Sequence, residues 1–182
     1  MNIRIAVIAD IHAPGSERHP ERRGDLAENL LTRAVNRFNR WIKPDITVVA
    51  GDIVDGCDSD IAVDQLKKVK QILDKLTCPY LVIRGNHDPA AENFYKVFNR
   101  QEQLDISGFR FVVFDDPEKE NYCASRTVGQ LERFKQAGAD HSAHSSLIIS
   151  LQHVPLFPPK MSDCPYNYTN AEQIIAEMKK YK

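Results

Sequence analysis

The stretch Ile46-Thr47-Val48-Val49-Ala50-Gly51-Asp52-Ile53-Val54-Asp55 decides the fold. Five apolar or β-branched residues make a strand, and a glycine ends it and hands the chain to two carboxylates. Upstream, Leu26, Leu30, Leu31, Ala34, Val35, Phe38, Trp41 and Ile42 form an apolar stripe that predicts a helix over 25–43, stopped by Pro44. Before it, Ile3 to Ala9 is a nearly continuous apolar run, the pattern of a strand buried on both faces. Downstream, Ala62, Leu66, Val69, Ile72, Leu73 and Leu76 predict a helix over 60–77, followed by a strand over 80–83. Strand, helix, strand, helix, strand at this spacing makes two βαβ units with parallel pairing.

The second half changes character. Residues 103–106 and 109–114 flank Ser107-Gly108, a two-residue hairpin signal. Helices are predicted over 128–137 and 171–181, with a further buried strand over 147–151. The expectation is a single α/β domain covering 1–182, parallel in its first half and mixed in its second. At 182 residues, one domain of ordinary size accounts for the chain.

Composition narrows the class. The 24 basic and 25 acidic residues leave a net charge of −1, which gives no global electrostatic case for nucleic acid or an anionic membrane as partner. With 42% hydrophobic residues the chain is neither disordered nor of low complexity. No apolar run approaches the roughly 18 residues of a spanning helix, and Met1 to Asp10 has no cleavage pattern, so a cytoplasmic protein is expected. Cys57, Cys78, Cys123 and Cys164 are widely spaced and read as reduced thiols.

The chemistry lies where the strands stop. Their ends carry Asp10-Ile11-His12, then Gly51-Asp52-Ile53-Val54-Asp55, then Gly85-Asn86-His87-Asp88, and later Gln152-His153. Ligands of open α/β sheets bind outside the carboxyl ends of the strands. Carboxylate, amide and imidazole together suit Mn²⁺, Fe²⁺ or Zn²⁺, and no thiolate argues for a softer ion. Asp88 reads as a turn residue.

These four motifs, in this order and spacing and together with Val154-Pro155, resemble those of the calcineurin-like metallophosphoesterases. The resemblance implies a sandwich of two mixed sheets flanked by helices, and two divalent metal ions, manganese foremost with iron or zinc as alternatives. It implies Asp10 and His12 on the first metal, Asp52 bridging, and Asn86 and His153 on the second. It further implies His87 as the general acid that contacts substrate phosphate, with Asp55 orienting its ring. The protein phosphatases of the superfamily look like G-D-x-V-D-R-G and G-N-H-E, but Gly56 and Asp88 stand at the corresponding places here. Purple acid phosphatases carry a tyrosine where this chain has Asp55. The implied branch hydrolyses small phosphodiesters, phosphomonoesters or nucleotides.

Two further features stand apart. The loop 13–24 follows the first ligands and carries Arg18, His19, Arg22 and Arg23, of which Arg18, Arg22 and Arg23 are candidates to grip substrate phosphate. The family pattern continues beyond a helix like 171–181 into a strand and G-H-x-H, which supply one ligand to each metal, whereas this sequence stops at Lys182. His141 and His144 precede their strand, on the order of 20 Å from its far end, and read as loop residues. The expectation is therefore a C-terminally truncated domain, with a homodimer across the edge left unpaired. The alternative to an active phosphoesterase is a catalytically weak remnant or phosphate-binding module.

Overall fold

A computed structural model describes residues 2–15, 21–56, 60–116, 118, 122–140, 147–158 and 161–181. Arg18, His19, Cys57, His141 and His144 lie outside the described residues. The chain divides into two compact units, residues 2–101 and residues 102–182, the latter grouped with Met1.

The first unit contains β1 (Ile5–Ile8), β2 (Ala13–Pro14), α1 (Ala27–Arg37), β3 (Ile46–Ala50), β4 (Val54–Asp55), α2 (Asp60–Leu73), β5 (Tyr80–Ile83) and α3 (Ala91–Val97). Strands β1, β3 and β5 pair in parallel with β3 in the middle, in the register Val7↔Val48 and Val49↔Val82. This is the arrangement that two successive right-handed βαβ units give. Leu31, Val35, Val49, Leu66, Val69, Leu73 and Phe94 form the core between helices and sheet.

The sequence reading is corrected at two places in this unit, and in the other unit the strand Ile148–Leu151, expected to be buried, is only half-buried. Strand β1 is not buried on both faces, because Val7 is 62% exposed. Among the described residues β1 pairs with β3 alone, and the sheet face that carries Val7 is open, so apolar composition did not guarantee burial. The helix expected over 25–43 is three segments: a 3₁₀ turn at Gly24–Leu26, α1, and a π-helical turn at Phe38–Ile42. The wider turn shifts the phase of the stripe. Trp41 therefore faces solvent at 69% exposure, with the Arg40 guanidinium 5.0 Å above its ring. Lys43 closes the segment in a left-handed conformation (φ 49°), its N–H donating to the Phe38 carbonyl.

Past the sheet proper, main-chain bonds continue between the first two strand ends. Asp10 N–H donates to Gly51 O (3.1 Å), His12 N–H to Asp52 O (2.9 Å) and Ala13 N–H to Ile53 O (2.9 Å). The two-residue parallel pair β2–β4 completes this zipper, in the register Ala13↔Val54.

The second unit contains β6 (Gln103–Ile106), β7 (Phe109–Val113), α4 (Val128–Ala139), β8 (Ile148–Leu151) and α5 (Ala171–Met178). Ser107 (φ 52°) and Gly108 (φ 80°) make the hairpin turn, and β7 then pairs in parallel with β8. The sheet is mixed, as the sequence predicts. Thr127 and Gln130 form a reciprocal capping box that starts α4. Under β8 lies Arg126, fully buried, bonded to Asp116 (2.9 Å) and to Gln152 Oε1 (2.8 Å), with its guanidinium 3.6 Å from the Phe114 ring centroid. Tyr168 donates to the same Asp116 carboxylate at 2.6 Å. No helix among the described residues is long and apolar enough to cross a membrane.

Candidate metal centre

Three loops of the first unit meet at the carboxyl ends of β1, β3 and β5. Asp10, His12 and Asp52 all adopt the left-handed region, with φ of 55°, 46° and 52°. Non-glycine residues rarely take this conformation, and its cost is tolerated where surrounding structure over-determines it. Here the main-chain zipper does so, and it turns the three side chains toward one another. Among the described residues, one ligand atom from each of Asp10, His12 and Asp52 lies within 4.8 Å of the others.

The ring of His12 is oriented at both nitrogens. Nε2 stands 3.8 Å from Asp10 Oδ1 and 3.8 Å from Asp52 Oδ2, whereas Nδ1 lies 2.7 Å from Asp55 Oδ1. A carboxylate only accepts and a guanidinium only donates, and Arg22 Nη1 stands 3.0 Å from this same Nδ1; in the tautomer that donates from Nδ1 to Asp55, the Nε2 lone pair is turned toward the two acids. An imidazole steered by an outer carboxylate toward further oxygen donors is the arrangement that metal-binding histidines adopt. The donor set of imidazole and carboxylate without thiolate fits a divalent ion of the manganese, iron or zinc kind.

Asp52 is nearly buried and held from the third loop: the His87 N–H donates to its Oδ1 at 3.0 Å. Gly85 makes that approach possible, since a Cβ there would collide with the backbone nitrogen and carboxylate of Asp52. The His87 ring packs edge-on against His12, with centroids 5.2 Å apart. Its Nδ1 is 3.6 Å from Asp55 Oδ1, so Asp55, expected to orient His87, sits closer to His12. Asn86 lies between Gly85 and His87 on the same loop.

Asp88, on the same loop, is buried. Its Oδ1 accepts from the Ile53 and Val54 N–H groups (2.8 and 3.0 Å) and its Oδ2 from the Gly85 N–H (2.8 Å). It ties the loop after β5 to the loop after β3, the structural role read from the sequence. Burial pushes its carboxyl up to about 7, against the pull of those three donors.

The candidate arginines separate. Arg22 donates from Nη1 to Asp55 Oδ1 at 2.6 Å, beside the His12 contact. Arg23 makes a two-pronged pair with exposed Asp25 (2.9 and 2.8 Å). Arg18 lies outside the described residues. His153 belongs to the second unit, one residue past Gln152, whose Oε1 also accepts from Ser150 Oγ at 2.9 Å. The Arg22–Asp55 contact is what sequence reasoning missed. Thirty-three positions separate the two residues, and the basic loop was the only signal.

A curated relative, described as a probable glycerophosphodiester phosphodiesterase GpdQ from Arcobacter nitrofigilis, is 25% identical over 112 residues, 62% of this chain. This chain spans only about two fifths (39%) of that relative's length. Among solved structures, a dimetal phosphatase from Danio rerio superposes with a TM-score of 0.75 at 17% identity, covering 98% of this chain and 78% of its own, and so has the same fold. The sequence profile of the calcineurin-like phosphoesterases matches residues 3–174. The chain belongs to the calcineurin-like phosphoesterase family.

Proposed function

We propose that this protein hydrolyses phosphoesters at a centre of two divalent metal ions, acting on small phosphodiesters, phosphomonoesters or nucleotides. The convergence of Asp10, His12 and Asp52, with His12 Nε2 at 3.8 Å from each of the two acids, carries this reading. Asp10 and His12 would hold one ion, Asp52 would be shared, and Asn86 would serve the other. When bound, such ions act as Lewis acids toward water and phosphate oxygen and offset the charge of an in-line displacement.

The chain's own residues supply the rest. His87 is 24% exposed at its side chain, open enough to meet a substrate and tethered through its backbone to Asp52. Its imidazole is the group suited to protonate the departing alkoxide. Asn86, a neutral amide, limits the negative charge that an incoming phosphate must face. The three anionic side chains Asp10, Asp52 and Asp55 are partly balanced by Arg22.

The test is hydrolysis of bis-p-nitrophenyl phosphate and of a glycerophosphodiester with added Mn²⁺, in the native chain and in Asp52→Asn. The glycerophosphodiester is chosen for the likeness to the Arcobacter relative. Metal-dependent turnover that disappears in Asp52→Asn is expected. Turnover no greater than that of the variant would leave only a binding role.

A further inference from the structure

Asp55 lies between two imidazoles, 2.7 Å from His12 Nδ1 and 3.6 Å from His87 Nδ1, and its side chain is 5% exposed. Its Oδ1 is the atom nearest to both, so a small rotation of the carboxylate decides which ring it serves. Arg22 approaches that same oxygen at 2.6 Å and comes within 3.0 Å of His12 Nδ1. In the tautomer protonated at Nδ1, the ring and the guanidinium are both donors and share Asp55 Oδ1 as their acceptor.

We propose that Arg22 is a positioning residue that acts through Asp55 on His12, and not a grip for substrate phosphate. This rests on the metal-centre reading above. A guanidinium on Oδ1 fixes the carboxylate on the His12 side, which keeps the proton on Nδ1 and leaves Nε2 for the ion held with Asp10 and Asp52. Arg22 is itself placed by ordered backbone. The next residue, Arg23, precedes the 3₁₀ turn at Gly24–Leu26, and its carbonyl accepts from the Leu26 N–H at 2.9 Å. Gly24 packs against this same wall, since a Cβ there would press on the His12 carbonyl at 3.0 Å. Arg22 thus reaches Asp55 from a position just ahead of this hydrogen-bonded turn. A bond to a carboxylate in a partly dry site is charge-assisted and strong, and a substrate phosphate would have to break it before using Nη1. Arg23, 70% exposed and paired with Asp25, does not duplicate the role.

Outer partners of metal-binding histidines change metal affinity by about 10- to 100-fold when removed. The experiment is Mn²⁺ binding to the chelator-treated full chain by isothermal titration calorimetry. Arg22→Gln is expected to weaken Mn²⁺ binding by about tenfold and to leave KM for bis-p-nitrophenyl phosphate unchanged at saturating Mn²⁺. Asp55→Asn is expected to weaken Mn²⁺ binding as well, and the double variant to be no worse than Asp55→Asn alone, as for two residues acting through one contact. Arg22→Lys, which keeps a cation at Asp55, is expected to lose less, and it carries the test should Arg22→Gln misfold. Native Mn²⁺ affinity in Arg22→Gln, additive losses in the double variant, or a raised KM at saturating Mn²⁺ would each overturn the proposal. A native chain that takes up no Mn²⁺ would instead overturn the metal-centre reading beneath it.

Discussion

The backbone N–H of His87 donates to Oδ1 of Asp52 at 3.0 Å, across 35 positions of sequence. One oxygen of the acid proposed to bridge two ions is therefore already held, while the other faces His12. The contact depends on Gly85, where any side chain would strike Asp52. Gly85→Ala is expected to cost about 1–3 kcal/mol of stability, as overpacking does, and to weaken Mn²⁺ binding by displacing Asp52. Thermal melts with and without Mn²⁺ check both parts.

Asp88 satisfies three backbone donors in a buried position. In Asp88→Ala those N–H groups lose their partner without gaining water, at a total cost of about 3 kcal/mol or more. Urea unfolding of the metal-free chain is the measurement. A loss below about 1 kcal/mol would mean that the loop rearranges to pair the donors elsewhere.

Asp10 carries a different tension. It is a non-glycine residue at φ 55°, and its carboxylate faces that of Asp52 across His12 Nε2. Asp10→Gly removes both the left-handed penalty and the like-charge neighbour. The metal-free variant is expected to melt a few degrees above the native chain, by up to about 1 kcal/mol, while Mn²⁺ binding and phosphodiester hydrolysis fall sharply. Differential scanning calorimetry in chelator, beside the activity assay, reads the trade-off.

Alkaline pH tests the second unit. Burial, reinforced by the adjacent Asp116 carboxylate, raises the Tyr168 phenol above its ordinary value. A folded-state pKa above the unfolded one gives stability that is complete below about 10 and is lost as pH climbs toward the raised value. Absorbance at 295 nm is expected to show a tyrosine that ionises only together with loss of the circular dichroism signal. Tyr168→Phe is expected to flatten the stability profile above pH of about 10.

Much of this was legible in the sequence, for reasons that differ by element. Strands β3 and β5 and helix α2 declare themselves because they are long, apolar and buried, and the motif residues because polar groups at successive strand ends are rare unless used. Helix α3 was not legible: it has seven residues, no side-chain cap and one buried position, Phe94, so periodicity had nothing to count. Strands β2 and β4 are two residues each, defined by their pairing and not by composition. The contact of Asp55 with His12, beside its contact with His87, was not legible for a related cause. His12 and His87 both bring an Nδ1 within 4 Å of it, and the arginine that reaches the same oxygen has no local signature in the sequence.

The main-chain zipper between the first two strand ends has one more consequence. Asp10 and His12 each hold their place through their own N–H, so the backbone frame of the first loop does not rest on the side chains it presents. Donor identity is then free to vary while geometry stays put. Exchanging Asp10 for Asn is expected to change which ion is preferred without rebuilding that loop, so one frame would serve as a socket for different chemistries.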